Sequence, residues 1–181
     1  MLIVKEHTQS TLTAFNNYVI QQARTNLTKG NRNVSKKLYD SLKGSVHATA
    51  KSFESHIEME FYGQFQDKGV KGVGGTKKDG NTWKMKNANG SPFSYKDKMP
   101  PIKAFDKWIV NRGFAPRNVK GQFQTREGMK YAIAKSIYHT GIEATHFFTK
   151  PFEKAFNRLP DDIVEAYGLD VEDFLKFTLK K

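Results

Sequence analysis

Apolar residues recur every three or four positions in three long stretches of the chain, a spacing that puts them on one face of an α-helix. The pattern predicts helices over residues 9–28, 129–139 and 151–178. Thr125 is placed to cap the second helix and Gly141 to end it, because glycine adopts a left-handed backbone without steric cost. Within the third stretch, Gly168 predicts a break, after which Asp170 would cap a second short helix.

Residues 53–61 change to a period of two, with apolar positions alternating with acidic and other polar ones. This alternation predicts a strand with one face in the core and one in solvent. Residues 46–50 can form the partner strand, across a turn near Lys51 and Ser52. A lone hairpin is only marginally stable, so we expect it to pack on the helices. The predicted fold class is α+β, with a small antiparallel sheet packed against the long N-terminal helix and the C-terminal helices.

Residues 66–98 combine many glycines, lysines and asparagines with few apolar side chains. Such a composition buries too little apolar surface to offset the chain entropy lost on ordering. We therefore predict a single domain over residues 1–181 that carries a long, flexible, basic loop insertion over residues 66–98, here called the arm. Helical order is predicted to resume at Pro100 and Pro101.

The net charge is concentrated in and around the arm. The chain has 30 basic and 18 acidic residues, a formal charge of +12. Residues 66–126 contain 14 basic and 4 acidic residues, and so supply +10 of that excess. A basic surface of this kind favours association with polyanions, either nucleic acid or an acidic protein.

Cysteine and long apolar segments are both missing from the sequence. Without cysteine there can be no disulfide framework and no thiolate metal site, which is typical of a reducing compartment. The sequence also has no apolar run of the length that spans a membrane and no signal-peptide pattern at Met1. We expect a soluble, intracellular protein.

Lysines and aromatic residues interleave along the arm, as on surfaces for single-stranded nucleic acid, where bases stack on rings and phosphates meet cations. The competing interpretation is an insertion whose aromatic residues anchor it to a neighbouring subunit. The candidate partner-facing or DNA-facing lysines are Lys68, Lys71, Lys77, Lys78, Lys84, Lys86, Lys96 and Lys98. The candidate interface aromatics are Trp83, Phe93 and Tyr95.

Four polar residues share the solvent face of the predicted strand, namely Glu54, His56, Glu58 and Glu60. Carboxylates and an imidazole on one face could hold a divalent metal for phosphodiester cleavage. An ordinary solvated strand face explains the same pattern. The glycines between residues 69 and 75 lack the spacing of a phosphate-binding P-loop. We predict no catalytic residue, no metal site and no cofactor.

Several short segments together carry a family resemblance. They are ARTNLTKGNRNVSKKLYDSL (Ala23–Leu42), the Tyr62-Gly63 step, MKYAIAKSIYHTGIEATHFF (Met129–Phe148) and FTKPF (Phe148–Phe152). In this order they resemble the tail-completion or neck proteins of tailed double-stranded-DNA bacteriophages, also described as tail components or minor tail proteins. Two features depart from that family. The proline and Asp-Thr-Gly of its first segment are replaced, and residues 66–126 enlarge the loop well beyond the compact members.

The resemblance implies a structural virion protein without catalytic residues, forming a ring at the head-tail neck or the top of the tail. The partners it implies are other copies of the chain, in a six- or twelvefold ring, portal or connector proteins and tail-tube proteins. It also implies no membrane, with the protein in the host cytoplasm during assembly. In such a particle the arm lysines could contact packaged DNA without reading its sequence. The alternative is a nucleic-acid-binding protein or a metal-dependent nuclease that uses the arm and the Glu54, Glu58 and Glu60 strand face.

Overall fold

The computed structural model describes residues 6–49, 52–115, 117, 121–123 and 125–179. In chain order the elements are helices α1 (Glu6–Lys29) and α2 (Lys37–Ser41), strands β1 (Lys43–Ala48) and β2 (Phe53–Glu58), helix α3 (Gly63–Lys68), strand β3 (Val70–Lys71), a 3₁₀ turn (Ile102–Phe105), helices α4 (Asp106–Asn111) and α5 (Arg126–Thr140), strand β4 (Gly141–Ile142), and helices α6 (Thr149–Phe156) and α7 (Leu159–Leu179).

These elements divide between two compact units, which we describe separately. Unit 1 comprises Met1–Gly30, Lys37–Glu60 and Phe147–Lys181, and unit 2 comprises Asn31–Lys36 and Phe61–His146. The single domain predicted over residues 1–181 stays a prediction, because compact units need not fold independently.

The predicted hairpin is present in unit 1. Strands β1 and β2 pair antiparallel, with Lys43 opposite Glu58 at one end. The pair packs against α1, where the buried side chain of Asn16 contacts both strands. Its amide nitrogen donates to the Ser45 carbonyl, and its oxygen accepts a hydrogen bond from Ser55 Oγ at 2.8 Å. A polar position of α1 therefore fixes the hairpin to the helix.

The core of unit 1 is built on the apolar stripe of α1. Its buried members are Ile20, Ala23, Leu27, Leu38, Leu42 and Phe147, with Ile57, Met59 and Phe148 packed against them. Burying a side chain as large as that of Phe147 contributes about 2–3 kcal/mol. The predicted fold class is confirmed as α+β, with a small antiparallel sheet packed against a long N-terminal helix and C-terminal helices.

Helix α7 runs without interruption through Gly168, so the predicted break there is wrong. A glycine inside a helix costs only about 1 kcal/mol, which packing can offset. The packed side of α7 follows helical spacing across that position, with Ala166 and Asp170 buried and Ile163 half-buried. Tertiary contact therefore continues the helix where local propensity favours a stop.

Asp170 caps a helix end that is distant in sequence, not a second half of α7. Its carboxylate accepts hydrogen bonds from the backbone N–H of His7 at 2.9 Å and of Thr8 at 3.0 Å, and from Thr8 Oγ1 at 2.7 Å. These amides lie in the first turn of α1, where backbone N–H groups have no partner within the helix. Asp170 therefore links α7 to the first turn of α1 within unit 1.

Helix α5 is the long helix of unit 2, and both of its predicted ends are confirmed. The Thr125 hydroxyl accepts a hydrogen bond from the Gly128 N–H, and Gly141 takes a φ of 83° just past the last turn. Lys130 of this helix is buried, although lysine side chains are usually exposed. It forms ion pairs with Asp106 and Glu127, so α4 and α5 are linked through charge.

The arm supplies backbone hydrogen bonds to the C-terminal end of α5. The last carbonyls of a helix lack partners within it, and here they accept from amides of the arm. The bonds are Val73 N–H to Tyr138 O at 3.0 Å, Gly74 N–H to His139 O at 3.0 Å and Lys86 N–H to Thr140 O at 2.8 Å. Strand β3 also pairs antiparallel with β4. The flexibility of the arm stays a prediction, but its path follows α5 instead of leaving unit 2 as a free loop.

Candidate functional site

The net charge of the chain belongs to unit 2. Over the sequence ranges of that unit there are 18 basic and 6 acidic residues, a formal net of +12. The ranges of unit 1 contain 12 basic and 12 acidic residues, a net of zero. Attraction for polyanions is therefore a property of unit 2.

Basic side chains converge at a surface groove between one turn of the arm and the outer side of α5. The residues that line it are Thr76, Lys77, Lys78, Asp79, Trp83, Lys135 and His139. We call this surface the lysine groove. Three of its seven lining residues are lysines, and two others are aromatic rings, so it combines positive charge with a rigid aromatic wall.

Local hydrogen bonds build the turn that carries Lys77 and Lys78. Thr76 and Thr82 form an antiparallel bridge, and the Lys77 N–H donates to the Asn81 carbonyl at 2.6 Å. The Asp79 carboxylate accepts from the Asn81 N–H at 3.1 Å, as in an Asx turn. The chain between the two threonines therefore forms a tight hairpin with both lysines near its tip.

Trp83 holds this hairpin on α5 by stacking on His139. The two rings are nearly parallel, 3° apart, with their centroids at 4.9 Å. His139 Nδ1 lies 2.7 Å from the Gly74 carbonyl. Because a carbonyl only accepts, Nδ1 carries the proton, which fixes the plane of the imidazole. The Lys77 ammonium lies 5.0 Å from the centroid of the Trp83 ring, a cation–π distance.

The lysine groove retains one carboxylate, that of Asp79. Hydrogen bonds from Asn81 lower the pKa of Asp79, and nearby Lys77 lowers it further. Asp79 is therefore ionised at neutral pH. Three lysines against one carboxylate leave the groove with a formal net charge of +2.

The structure brings only part of the predicted lysine set together. All eight arm lysines are exposed, but only Lys77 and Lys78 line the groove. Lys135 completes it from α5, and sequence reasoning missed this residue. Nothing in the spacing along the chain connects residue 135 to residues 77 and 78, because the arm and α5 meet only through the fold.

The three predicted interface aromatics all contact rings of their own chain. Trp83 stacks on His139, Phe93 meets Phe65 edge-on at 4.7 Å, and Tyr95 lies 6.1 Å from Tyr138. Each ring is half-buried. Contact with a neighbouring subunit stays a prediction, and the contacts present here anchor the arm within unit 2.

The acidic strand face does not form a metal-binding group in the part of the chain that the structure describes. Glu54 pairs with His56 at 3.4 Å, whereas Glu60 lies beyond the end of β2 and pairs with Lys37 at 3.2 Å. The predicted alignment of Glu54, Glu58 and Glu60 along one strand is therefore wrong for Glu60. Glu54 and Glu58 are exposed and Glu60 is half-buried, and the contacts of Glu54 and Glu60 are ordinary surface pairs.

A second surface lies on unit 1, along the outer side of α7. Apolar side chains recur there at helical spacing and are exposed to solvent. They are Val164 (74% exposed), Tyr167 (51%), Val171 (38%), Leu175 (52%) and Leu179 (85%). We call this surface the α7 stripe. Asp161, Glu165 and Glu172 lie along one edge of it, given the rotation of about 100° per helical residue.

The chain is therefore an α+β protein that has a basic groove on unit 2 and an exposed apolar helix face on unit 1. Comparison with protein-family models, curated proteins and solved structures gives no match for this chain. Among the described residues, no helix has the length and apolarity needed to cross a membrane.

Proposed function

We propose that this chain is a structural, self-associating subunit, and that its assembly forms a ring in the neck or upper tail of a tailed bacteriophage particle. The observation that supports self-association is the α7 stripe. The place in a virion rests on the sequence resemblance described above. In this proposal the protein has no catalytic role.

Exposed apolar side chains in a continuous row differ from the scattered ones that any protein surface carries. Val164, Val171 and Leu175 recur at spacings of seven and four residues on one helix, as in helices that pack against another helix. Covering them removes apolar surface from water, at about 25 cal/mol per Å². The stripe therefore provides a driving force for association.

We propose that unit 2 of a second copy covers the α7 stripe, because the charges of the two surfaces are opposite. Helix α7 contains six acidic residues and one basic residue, a formal net of −5, and acids line one edge of the stripe. Unit 2 carries the net +12 of the chain. It also exposes apolar side chains of its own, including Val110, Phe114 and Tyr131. Acidic helix and basic unit are therefore complementary between copies.

Such a contact joins two different surfaces. In a pair of copies, one copy therefore still has a free unit 2 surface and the other still has a free α7 stripe. A heterologous contact of this type closes into a ring when its rotation permits, or otherwise continues as a filament. A ring with six- or twelvefold symmetry would then present further surfaces to portal or connector proteins and to tail-tube proteins. This is the arrangement that the resemblance implies.

Replacing Val171 and Leu175 with Asp should shift the purified protein from an oligomer to a monomer. Two buried carboxylates in the contact would carry a desolvation cost that the lost apolar burial cannot offset. The mass should be measured by light scattering during gel filtration. The double variant Val171→Ile and Leu175→Met keeps the stripe apolar and should retain the oligomer.

Charge reversal tests the chosen occupant. Glu165→Lys with Glu172→Lys should weaken association, because the edge of the stripe would then repel a basic unit. A wild-type protein that remains a monomer at all concentrations would overturn the proposal, and an oligomer unaffected by both double changes would overturn the contact. The place in a virion needs a separate test. Phage particles purified from cells that encode the chain should contain it when they are analysed by mass spectrometry.

A further inference from the structure

We propose that the lysine groove binds the phosphodiester backbone of nucleic acid without reading its sequence. The inference concerns unit 2 and does not depend on the proposed ring, since a monomer would present the same groove. It narrows the sequence-based expectation of a DNA-facing arm to a site with named residues, one of which lies outside the arm.

Cations from two separate segments of the chain converge at the groove. Lys77 and Lys78 come from the hairpin at residues 76–82, and Lys135 comes from α5. The Trp83 and His139 stack holds these segments together. Because the fold already brings these segments together, a phosphate that binds there does not have to gather the lysines from separate parts of the chain.

The groove is suited to the backbone of nucleic acid and not to its bases. Base-stacking sites offer an uncovered aromatic face, but Trp83 has His139 stacked on it and the Lys77 ammonium over its ring. The ring therefore serves as a support for the lysines. Lysines that meet phosphates position a protein on nucleic acid without carrying base information.

The composition of the groove favours a phosphodiester over an acidic protein. Protein interfaces are depleted in lysine and enriched in exposed aromatic and apolar side chains at their centre. The lysine groove has the opposite composition, because three of its lining residues are lysines and its tryptophan is half-buried against its own chain. Lys77 and Lys78 are exposed, and Lys135 is half-buried. Small, strongly hydrated ammonium groups are common phosphate ligands.

The test compares two triple variants that lose the same charge from the same unit. The groove variant is Lys77→Gln, Lys78→Gln and Lys135→Gln, and the control is Lys36→Gln, Lys103→Gln and Lys107→Gln, at exposed positions of unit 2 outside both the groove lining and the arm. The probe is a fluorescein-labelled duplex of about 20 base pairs and mixed sequence, with binding followed by fluorescence anisotropy at several salt concentrations.

We expect the groove variant to bind at least about tenfold more weakly than wild type, and the control variant to stay within about threefold. The slope of log K against log salt should fall by about 2–3 in the groove variant, since each lost phosphate contact removes about 0.9. A second duplex of different sequence should give the same affinity in the wild type.

Asp79→Asn adds a gain of function that misfolding cannot imitate. Asparagine can still accept the Asn81 N–H and keep the turn, while the groove loses its only negative charge. Binding should tighten by about two- to fivefold. Masses measured in parallel ensure that variants are compared in the same oligomeric state.

Three results would overturn the inference. One is a wild-type protein that does not bind the duplex near physiological salt, and another is equal weakening of the two triple variants, which would show binding by net charge alone. The third is competition by poly-glutamate as effective as by DNA of equal charge, which would assign the groove to an acidic protein. None of these results affects the proposed self-association.

Discussion

Replacing Asp170 with Ala is expected to lower the free energy of unfolding by about 3 kcal/mol at neutral pH. Hydrogen bonds to a charged group contribute about 1.5–3 kcal/mol when a partner is removed, and this carboxylate accepts three. Thr8 is only 1% exposed, so its hydroxyl would also be left buried without a hydrogen-bond acceptor. Urea denaturation followed by far-UV circular dichroism measures the change.

The same carboxylate predicts how the loss depends on pH. Burial alone would raise the pKa of Asp170, but the hydrogen bonds from Thr8 and His7 outweigh it and the pKa is lowered. An aspartate with a lowered pKa stabilises the fold fully above its unfolded value of about 3.9, and less as pH falls through the folded value. The difference between wild type and Asp170→Ala should therefore narrow below about pH 4.

Asp173 provides the control, because it lies one turn further along α7 and is exposed. Its carboxylate pairs with His7 at 3.1 Å, and both side chains are close to half exposed. An exposed ion pair of this kind contributes between zero and about 1 kcal/mol. If Asp173→Ala costs as much as Asp170→Ala, the first turn of α1 is not capped as the structure shows.

Gly72→Ala is expected to destabilise the chain by about 3 kcal/mol. This is a typical cost of adding atoms to a packed structure that has no room for them. A Cβ at this position would lie 2.5 Å from the Gly141 nitrogen and closer still to the His139 carbonyl oxygen. Both obstacles are backbone atoms, so no side chain can move aside. The arm would have to separate from the end of α5.

Two measurements distinguish this separation from a general loss of stability. The amide hydrogens of Gly74 and Lys86, which bond to the end of α5, should exchange faster in Gly72→Ala. Trp83 fluorescence should also change, because its stack on His139 depends on the same contact. Gly168→Ala is the matched control. Apart from the local backbone of α7, no atom lies within 4 Å of its added Cβ, so helix propensity predicts a gain of about 0.5–1 kcal/mol.

An unchanged stability and unchanged exchange in Gly72→Ala would mean that the arm is free of α5. That outcome would support the flexible arm predicted from composition. It would also remove the lysine groove, since Lys135 would then no longer be held beside Lys77 and Lys78.

The sequence by itself determined the features whose causes are local. Helical spacing predicted α1 and α5, alternation predicted the hairpin, and the cap at Thr125 and the stop at Gly141 follow from the chemistry of single residues. The fold class followed from these elements. In each case the favourable contacts join residues that are close along the chain, so the pattern of the chain contains the information.

Only the tertiary structure decided which residues distant in sequence contact and hydrogen-bond one another. Gly168 predicted a helix break, but packing continued α7 and brought Asp170 to the first turn of α1. Glycines such as Gly72 suggested disorder, whereas here they permit close approach of two backbones. The unpaired amides and carbonyls at helix ends need hydrogen-bond partners from elsewhere in the fold. No spacing along the sequence specifies which residues those partners are.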